Sequence, residues 1–331
     1  MVRWVCKLDD TSTHTEGNVP KIAYIEKNFR DDKLELLGMI NSIMNSYAEQ
    51  GYDLSLRQLY YQLVSRDIIP NNQREYKNLG TLVNDGRMAG LLDWGQIVDR
   101  GRKLVEPPHW SDPADIIQAA SNSFRIDKWE TQPCHVMVAV EKQALEGVLE
   151  PVCKRLDVNF IANKGYSSQS TMWRIGEDLK KLRRFRRKRI VVLYLGDHDP
   201  SGLDMDRDVE ERLSLFSGGP VEFQRLALLW EQIEELQPPE NPAKLTDSRA
   251  KDYIAQHGYS SWELDAVEPK ELDRMVTTTV ESFLDLGKWA ELVEEEARMR
   301  AEMRAFAENY VELAEYMDRQ GMVESEEDDD E

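Results

Sequence analysis

Ile190-Val191-Val192-Leu193-Tyr194-Leu195-Gly196-Asp197-His198-Asp199-Pro200-Ser201-Gly202 decides how the chain folds. The run from Ile190 to Leu195 is apolar or β-favouring and predicts a buried strand. It ends in two carboxylates two residues apart, followed at once by Pro and Gly. In an open α/β sheet, ligands sit at the carboxyl ends of the strands. Two aspartates on a tight turn there attract a hard divalent cation such as Mg2+, which prefers oxygen ligands and keeps some of its waters. Three other sites share the Asp-x-Asp pattern. An EF-hand-like calcium loop would use Asp197, Asp199, Ser201, Gly202 and Asp208, but that loop follows a helix. A phosphatase with Asp197 as nucleophile suits the strand better. A solvated acidic turn is compatible with Pro-Ser-Gly.

Upstream, His135 to Val140 is a second apolar strand, and it ends in Glu141-Lys142. Ala144, Leu145, Val148, Leu149 and Val152 predict a helix after it. A short strand, Asn159 to Ala162, and a turn, Lys164-Gly165-Tyr166-Ser167-Ser168, come next. A helix from about Ser170 to Arg187 then leads into the Asp197 strand. Strands alternating with helices predict an α/β fold with a mainly parallel sheet. Its carboxyl edge would gather Glu141, the Gly165 turn with Lys164, and the aspartate pair.

This order resembles the Toprim domain, shared by topoisomerases, primases and some nucleases. In that family a glutamate after the first strand and an Asp-x-Asp after a later one bind Mg2+ and manage a phosphodiester reaction. Glu141, Asp197 and Asp199 stand at the matching positions, with Glu141 also a candidate proton carrier. The form Asp-x-Asp-Pro-x-Gly is most similar to the A subunit of topoisomerase VI and its meiotic double-strand-break relatives. Ser201 departs from the aromatic or histidine expected before the glycine. Glu263-Leu264-Asp265-Ala266-Val267-Glu268-Pro269 is similar to the Glu-Leu-Asp-Ala-x-x-Pro signature of the same family. The likeness covers about Asp31 to Lys288.

The resemblance implies a nucleophilic tyrosine upstream, on a winged-helix domain. Leu54-Ser55-Leu56-Arg57-Gln58-Leu59-Tyr60-Tyr61-Gln62-Leu63-Val64 supplies the candidate. Leu56, Leu59, Tyr60 and Leu63 recur at helical spacing as a core face, and Tyr61 is one step further round, able to reach a groove. Tyr61 matches the family's nucleophile and Arg57 its nearby arginine, while Gln58 stands where an acid is expected. Both tyrosines could equally be core or interface residues. A helix from about Asp31 to Gln50, with Leu34, Leu37, Ile40, Ile43 and Met44, precedes this one. Ser55 is a plausible N-cap. A third helix is predicted over Glu75 to Leu92. Gln96 to Leu104 reads as a β-hairpin wing with cations at its tip. Three helices and a basic wing make a helix-turn-helix variant that can lay a helix in the major groove. Arg87, Arg100, Arg102, Lys103 and Lys164 are the candidate DNA contacts.

The expected organisation is an extension over 1–30, the winged helix over 31–106 and a proline-rich linker over 107–121. A Toprim domain over 122–290, a C-terminal helix over 291–320 and an acidic disordered tail over 321–331 follow. The chain has 331 residues, enough for two cores. Its three cysteines, Cys6, Cys134 and Cys153, have no zinc spacing and form no disulfide framework, which points to a reducing, cytoplasmic setting. No stretch is apolar and long enough to span a bilayer, and no signal-peptide pattern opens the chain.

A net charge of −20 argues against nucleic acid at first sight, but it is unevenly spread. Glu324 and the acids from Glu326 to Glu331 crowd the tail. Lys180, Lys181, Arg183, Arg184, Arg186, Arg187, Lys188 and Arg189 form an opposite cluster. It is either a phosphate-tracking patch or a set of cations suited to a helix C-terminus. The resemblance implies Mg2+-dependent cleavage of double-stranded DNA by tyrosine transesterification, within a homodimer whose protomers share each site. It also makes an ATPase B-type subunit a candidate partner, although Met1 to Pro20 is short for the extension that grips one. The alternatives are a Toprim metallonuclease that hydrolyses DNA without a covalent step and a non-catalytic DNA-binding scaffold.

Overall fold

The computed structural model describes residues 21–97, 107–163, 168–244, 246–247 and 249–322. They fall into two compact units that divide between Asp99 and Arg100.

The first unit is helical: α1 (Asp31–Ala48), α2 (Leu56–Ser65) and α3 (Gln73–Met88). Leu37, Ile40, Ile43, Met44 and Tyr47 form the buried stripe of α1. Leu34, expected in that stripe, is exposed. Ser55 starts α2 with a capping box. The Gln58 amide donates to Ser55 Oγ at 3.2 Å, and Gln58 Oε1 accepts from the Ser55 amide at 2.8 Å. The glutamine found in place of an acid thus closes the helix start, a device worth about 1 kcal/mol. Asn72 caps α3, whose bounds lie a little upstream of the predicted Glu75 to Leu92. After Met88 the chain turns back, with the Leu91 amide donating to Gly86 O at 2.8 Å.

Residues 21–30 are not a free extension. Ala23 bridges Ala89, and the amides of Tyr24 and Ile25 donate to Met88 O. Leu54 bridges Ile97 in parallel. Beyond Ile97 the predicted wing, with Arg100, Arg102 and Lys103, lies outside the described residues.

The second unit is built on four parallel strands: β1 (Cys134–Val140), β2 (Asn159–Ala162), β3 (Arg189–Leu195) and β4 (Glu222–Ala227), in the order β2-β1-β3-β4. Before them, α4 (Pro113–Ser123) occupies the segment read as a linker. Asp112 caps it and Pro113 opens it, so the prolines that suggested a linker mark a helix start instead. Between strands run α5 (Glu146–Arg155), α6 (Gln169–Arg186) and α7 (Pro200–Phe216). Met172 and Leu179 of α6 and Met205, Val209 and Leu213 of α7 pack on Met137, Val192 and Tyr194 of the sheet.

The chain continues through α8 (Trp230–Leu236), β5 (Glu240–Pro242), α9 (Ala250–His257) and β6 (Ser260–Trp262), β5 and β6 pairing antiparallel. A short 3-10 turn over Leu264–Ala266 precedes α10 (Pro269–Glu281). The single C-terminal helix expected over 291–320 is two: α11 (Leu286–Glu308) and α12 (Tyr310–Arg319). α4 is tied to α11: Ser121 Oγ donates to Arg300 O, and Arg300 Nε donates to Phe124 O. No described helix is long and apolar enough to cross a membrane.

Register fixes the working edge. Val140 is level with Ala162 on one side and Leu195 on the other, and Leu195 is level with Ala227. Everything just after these four residues therefore emerges along one carboxyl edge. The basic run lies at the opposite end of β3, roughly 20 Å away at the rise of an extended strand. Much of it is used internally. Lys188 Nζ donates to Trp129 O at 2.6 Å and Glu130 O at 2.7 Å. Arg186 pairs with Asp127 at 2.8 Å, and Arg183 donates to Pro220 O.

Candidate metal centre

Glu141 follows β1 directly, its amide donating to Leu195 O at 2.9 Å. Its side chain is buried at the carboxyl edge, and Oε2 accepts from the Asp197 amide at 2.9 Å. Two glycines make that approach possible. A Cβ on Gly196 would stand 3.0 Å from Glu141 Oε2, and one on Gly202 only 2.3 Å from Asp197 O. Any larger residue at Gly202 would push the turn off the strand end.

Asp197 is also buried. Its Oδ1 accepts from the Leu264 amide at 2.8 Å, and its Oδ2 lies 2.7 Å from Lys142 Nζ. Lys142 Nζ in turn pairs with Glu263 and lies 3.6 Å from Asp265 Oδ2. The Glu-Leu-Asp-Ala segment recognised in the sequence is thus brought against the Asp-x-Asp turn.

Asp199 has a second task. It is the N-cap of α7, with Oδ1 accepting from the Gly202 amide at 2.6 Å and Pro200 at the first helical position. Its Oδ2 is 4.0 Å from Lys244 Nζ. Ser201, the departure from the family pattern, falls in the first turn of this helix.

Burial pushes Glu141 up from the ordinary carboxylate range, and the Asp197 charge adds to the effect. Burial also raises Asp197, with Lys142 opposing. Neighbouring buried carboxylates disfavour one another's ionisation, and here Lys142 offsets part of that for Asp197. Among the described residues, no group of three or more His, Cys, Asp and Glu side chains forms a ready metal cage. Glu141, Asp197 and Asp199 are nevertheless hard oxygen donors brought to one edge, the donor chemistry that a divalent cation such as Mg2+ takes.

Sequence reasoning missed the two groups that hold the turn. Arg225 of β4 lies beneath it. Its Nη2 donates to Gly196 O at 2.9 Å and Asp197 O at 2.7 Å, and its Nε to Leu228 O at 3.2 Å. Its Nη1 pairs with both oxygens of Asp206 at 2.6 and 2.5 Å. The available signal was the one cation in the strand Glu222–Ala227. The other group is His198, buried between the two aspartates. Its backbone pairs with Trp262 in both directions, and its Nδ1 is 3.0 Å from the Tyr253 hydroxyl. Trp230, Trp262 and His257 surround the ring. Burial, then His257, lowers its pKa to about 4, so the ring is neutral near pH 7.

The candidate nucleophile sits in the first unit. Tyr61 is not a groove-facing neighbour of a buried Tyr60, because both are 4% exposed. Their rings meet edge to face at 5.3 Å, and the Arg57 guanidinium is 5.9 Å from the Tyr61 ring centre. The Tyr60 hydroxyl donates to Asn71 Oδ1 at 3.0 Å. Arg87 does not have the free guanidinium expected of a DNA contact. It donates to the carbonyls of Trp94 and Ile97, stacks on the Trp94 ring at 5.3 Å, and is lowered in pKa by burial. Lys164 and the Gly165 turn lie outside the described residues. No model of a known protein family matches the chain, and no curated protein matches it.

Proposed function

We propose that this protein cuts double-stranded DNA by Mg2+-dependent transesterification, with Tyr61 as nucleophile and Glu141, Asp197 and Asp199 as the metal site. The supporting observation is that the ends of β1 and β3 converge, with Glu141 Oε2 accepting from the Asp197 amide at 2.9 Å. A parallel sheet with carboxylates at its carboxyl edge suits phosphoryl transfer. Bound Mg2+ would neutralise charge developing on the phosphate. The Tyr61 oxygen bonds to phosphorus as its proton passes to solvent, and the bond to the 3′ oxygen breaks. Glu141, deprotonated as a ligand, relays a proton from solvent to that leaving oxygen. Arg57 orients the phosphate. The resemblance adds a homodimer in which each Tyr61 serves the partner's metal site, an ATPase subunit as a further partner and a cytoplasmic location.

One observation favours a second reading. Tyr61 is 4% exposed, which suits a metallonuclease that activates water and keeps Tyr61 as a core residue. Denaturing the reaction and searching for a covalent DNA–protein adduct separates the two. Transesterification leaves DNA on Tyr61, and hydrolysis leaves free 5′ ends.

A further inference from the structure

The mechanism above gives no task to Lys142. Its ammonium meets three carboxylates from two segments: Asp197 at the end of β3, and Glu263 and Asp265 after β6. The side chains of Asp197 and Asp265 are 8% and 0% exposed, and that of Lys142 is 15% exposed. A lysine so enclosed is more than a surface ion pair, whose worth is small. Several carboxylates closing on one small cation are also the donor set of a hard divalent ion.

Two-metal phosphoryl-transfer sites hold their ions roughly 3.5–4 Å apart. The Asp197 carboxylate is divided between the Leu264 amide on Oδ1 and Lys142 on Oδ2, while its backbone amide donates to Glu141. Lys142 follows Glu141 directly in the chain, so the residue that would carry one ion is joined to the residue filling the place of the other.

We propose that Lys142 is a tethered cation in the second position of what would otherwise be a two-metal centre. The site then takes a single divalent ion, and Lys142 holds Asp197, Glu263 and Asp265 in the place of another. This rests on the metal reading above. Without the ammonium, three carboxylates repel one another, and a divalent ion relieves that repulsion.

Mn2+, a spectroscopic probe for Mg2+, can be counted on the full-length chain by equilibrium dialysis, with electron paramagnetic resonance to detect coupled pairs. The wild type is expected to bind one Mn2+ per chain, and Lys142→Met two, with a spin-coupled signal. Lys142→Arg, which keeps the cation, is expected to stay at one. Should Lys142→Met fail to fold, Lys142→Met/Asp265→Asn removes a cation and an acid together and is also expected to bind two. Equal stoichiometry in the wild type and the methionine variants would overturn the proposal. A wild type that binds none while Lys142→Met binds one would overturn the metal reading and leave Lys142 as the cation of the site. No Mn2+ on either protein would overturn both.

Discussion

Arg225 and Asp197 are joined through the backbone: Arg225 Nη2 donates to the Asp197 carbonyl oxygen at 2.7 Å and to the neighbouring Gly196 carbonyl at 2.9 Å. One edge-strand guanidinium therefore sets the position of the turn that carries both aspartates, while Asp206 sets the guanidinium. Only a planar fork can make these contacts together. Arg225→Met leaves Asp206 largely buried without its cation and is expected to cost about 3–5 kcal/mol in urea unfolding. Arg225→Lys keeps the ion pair but loses the clamp. It should fold, with metal affinity reduced about 10–100-fold by titration, as for other residues that orient ligands.

Asp199 combines helix capping with its candidate ligand role, and substitution separates the two. Asparagine caps a helix about as well as aspartate, so Asp199→Asn should change stability by less than about 0.5 kcal/mol and still weaken Mg2+ binding. Asp199→Ala should lose about 1 kcal/mol as well. Thermal unfolding with and without Mg2+ reads both effects. Asp197→Asn/Asp199→Asn should fold and abolish Mg2+-dependent cutting.

The raised pKa values of Glu141 and Asp197 give a pH dependence of definite sign. A group whose pKa is higher in the folded state stabilises most below its unfolded value, and that contribution is lost as pH rises through the folded value. The metal-free protein should therefore lose stability from these two groups between about pH 4 and about pH 8. Metal binds the deprotonated carboxylates. The rise in Tm on adding Mg2+ should accordingly be larger at the higher pH, and Glu141→Gln should flatten the difference. An equal Mg2+ shift at both pH values would count against Glu141 as a ligand.

Much of this arrangement was readable in the chain. The apolar runs before Glu141 and Asp197, separated by helical patterns, imply parallel strands whose ends share an edge. The register at Val140 and Leu195 realises it. What the sequence concealed depends on distant packing. Arg225 and the Lys142 pairs with Glu263 and Asp265 come from segments far apart in sequence, and no local period announces them. Tyr61 shows the limit of periodicity, because a residue one step off the core face is as buried as its neighbour. The prolines after Glu106 were misread as a linker because Asp112-Pro113 works as a helix start.

The two tyrosines should separate by function. Tyr60→Phe deletes the hydroxyl that donates to Asn71 and should cost about 1 kcal/mol while leaving any DNA adduct in place. Tyr61→Phe should fold and form no adduct. Loss of the adduct in Tyr60→Phe alone would reverse the assignment.

A covalent bond between Tyr61 and DNA, made with the help of the Glu141, Asp197 and Asp199 site, is what sets transesterification apart from hydrolysis. The most direct measurement incubates the full-length protein with labelled duplex DNA and Mg2+, denatures the mixture, and maps any DNA-linked peptide by mass spectrometry. A 5′-phosphotyrosyl peptide containing Tyr61 is expected, absent from Tyr61→Phe, from Asp197→Asn/Asp199→Asn and from chelator-treated samples. Cut DNA with free 5′ ends and no linked peptide would contradict transesterification.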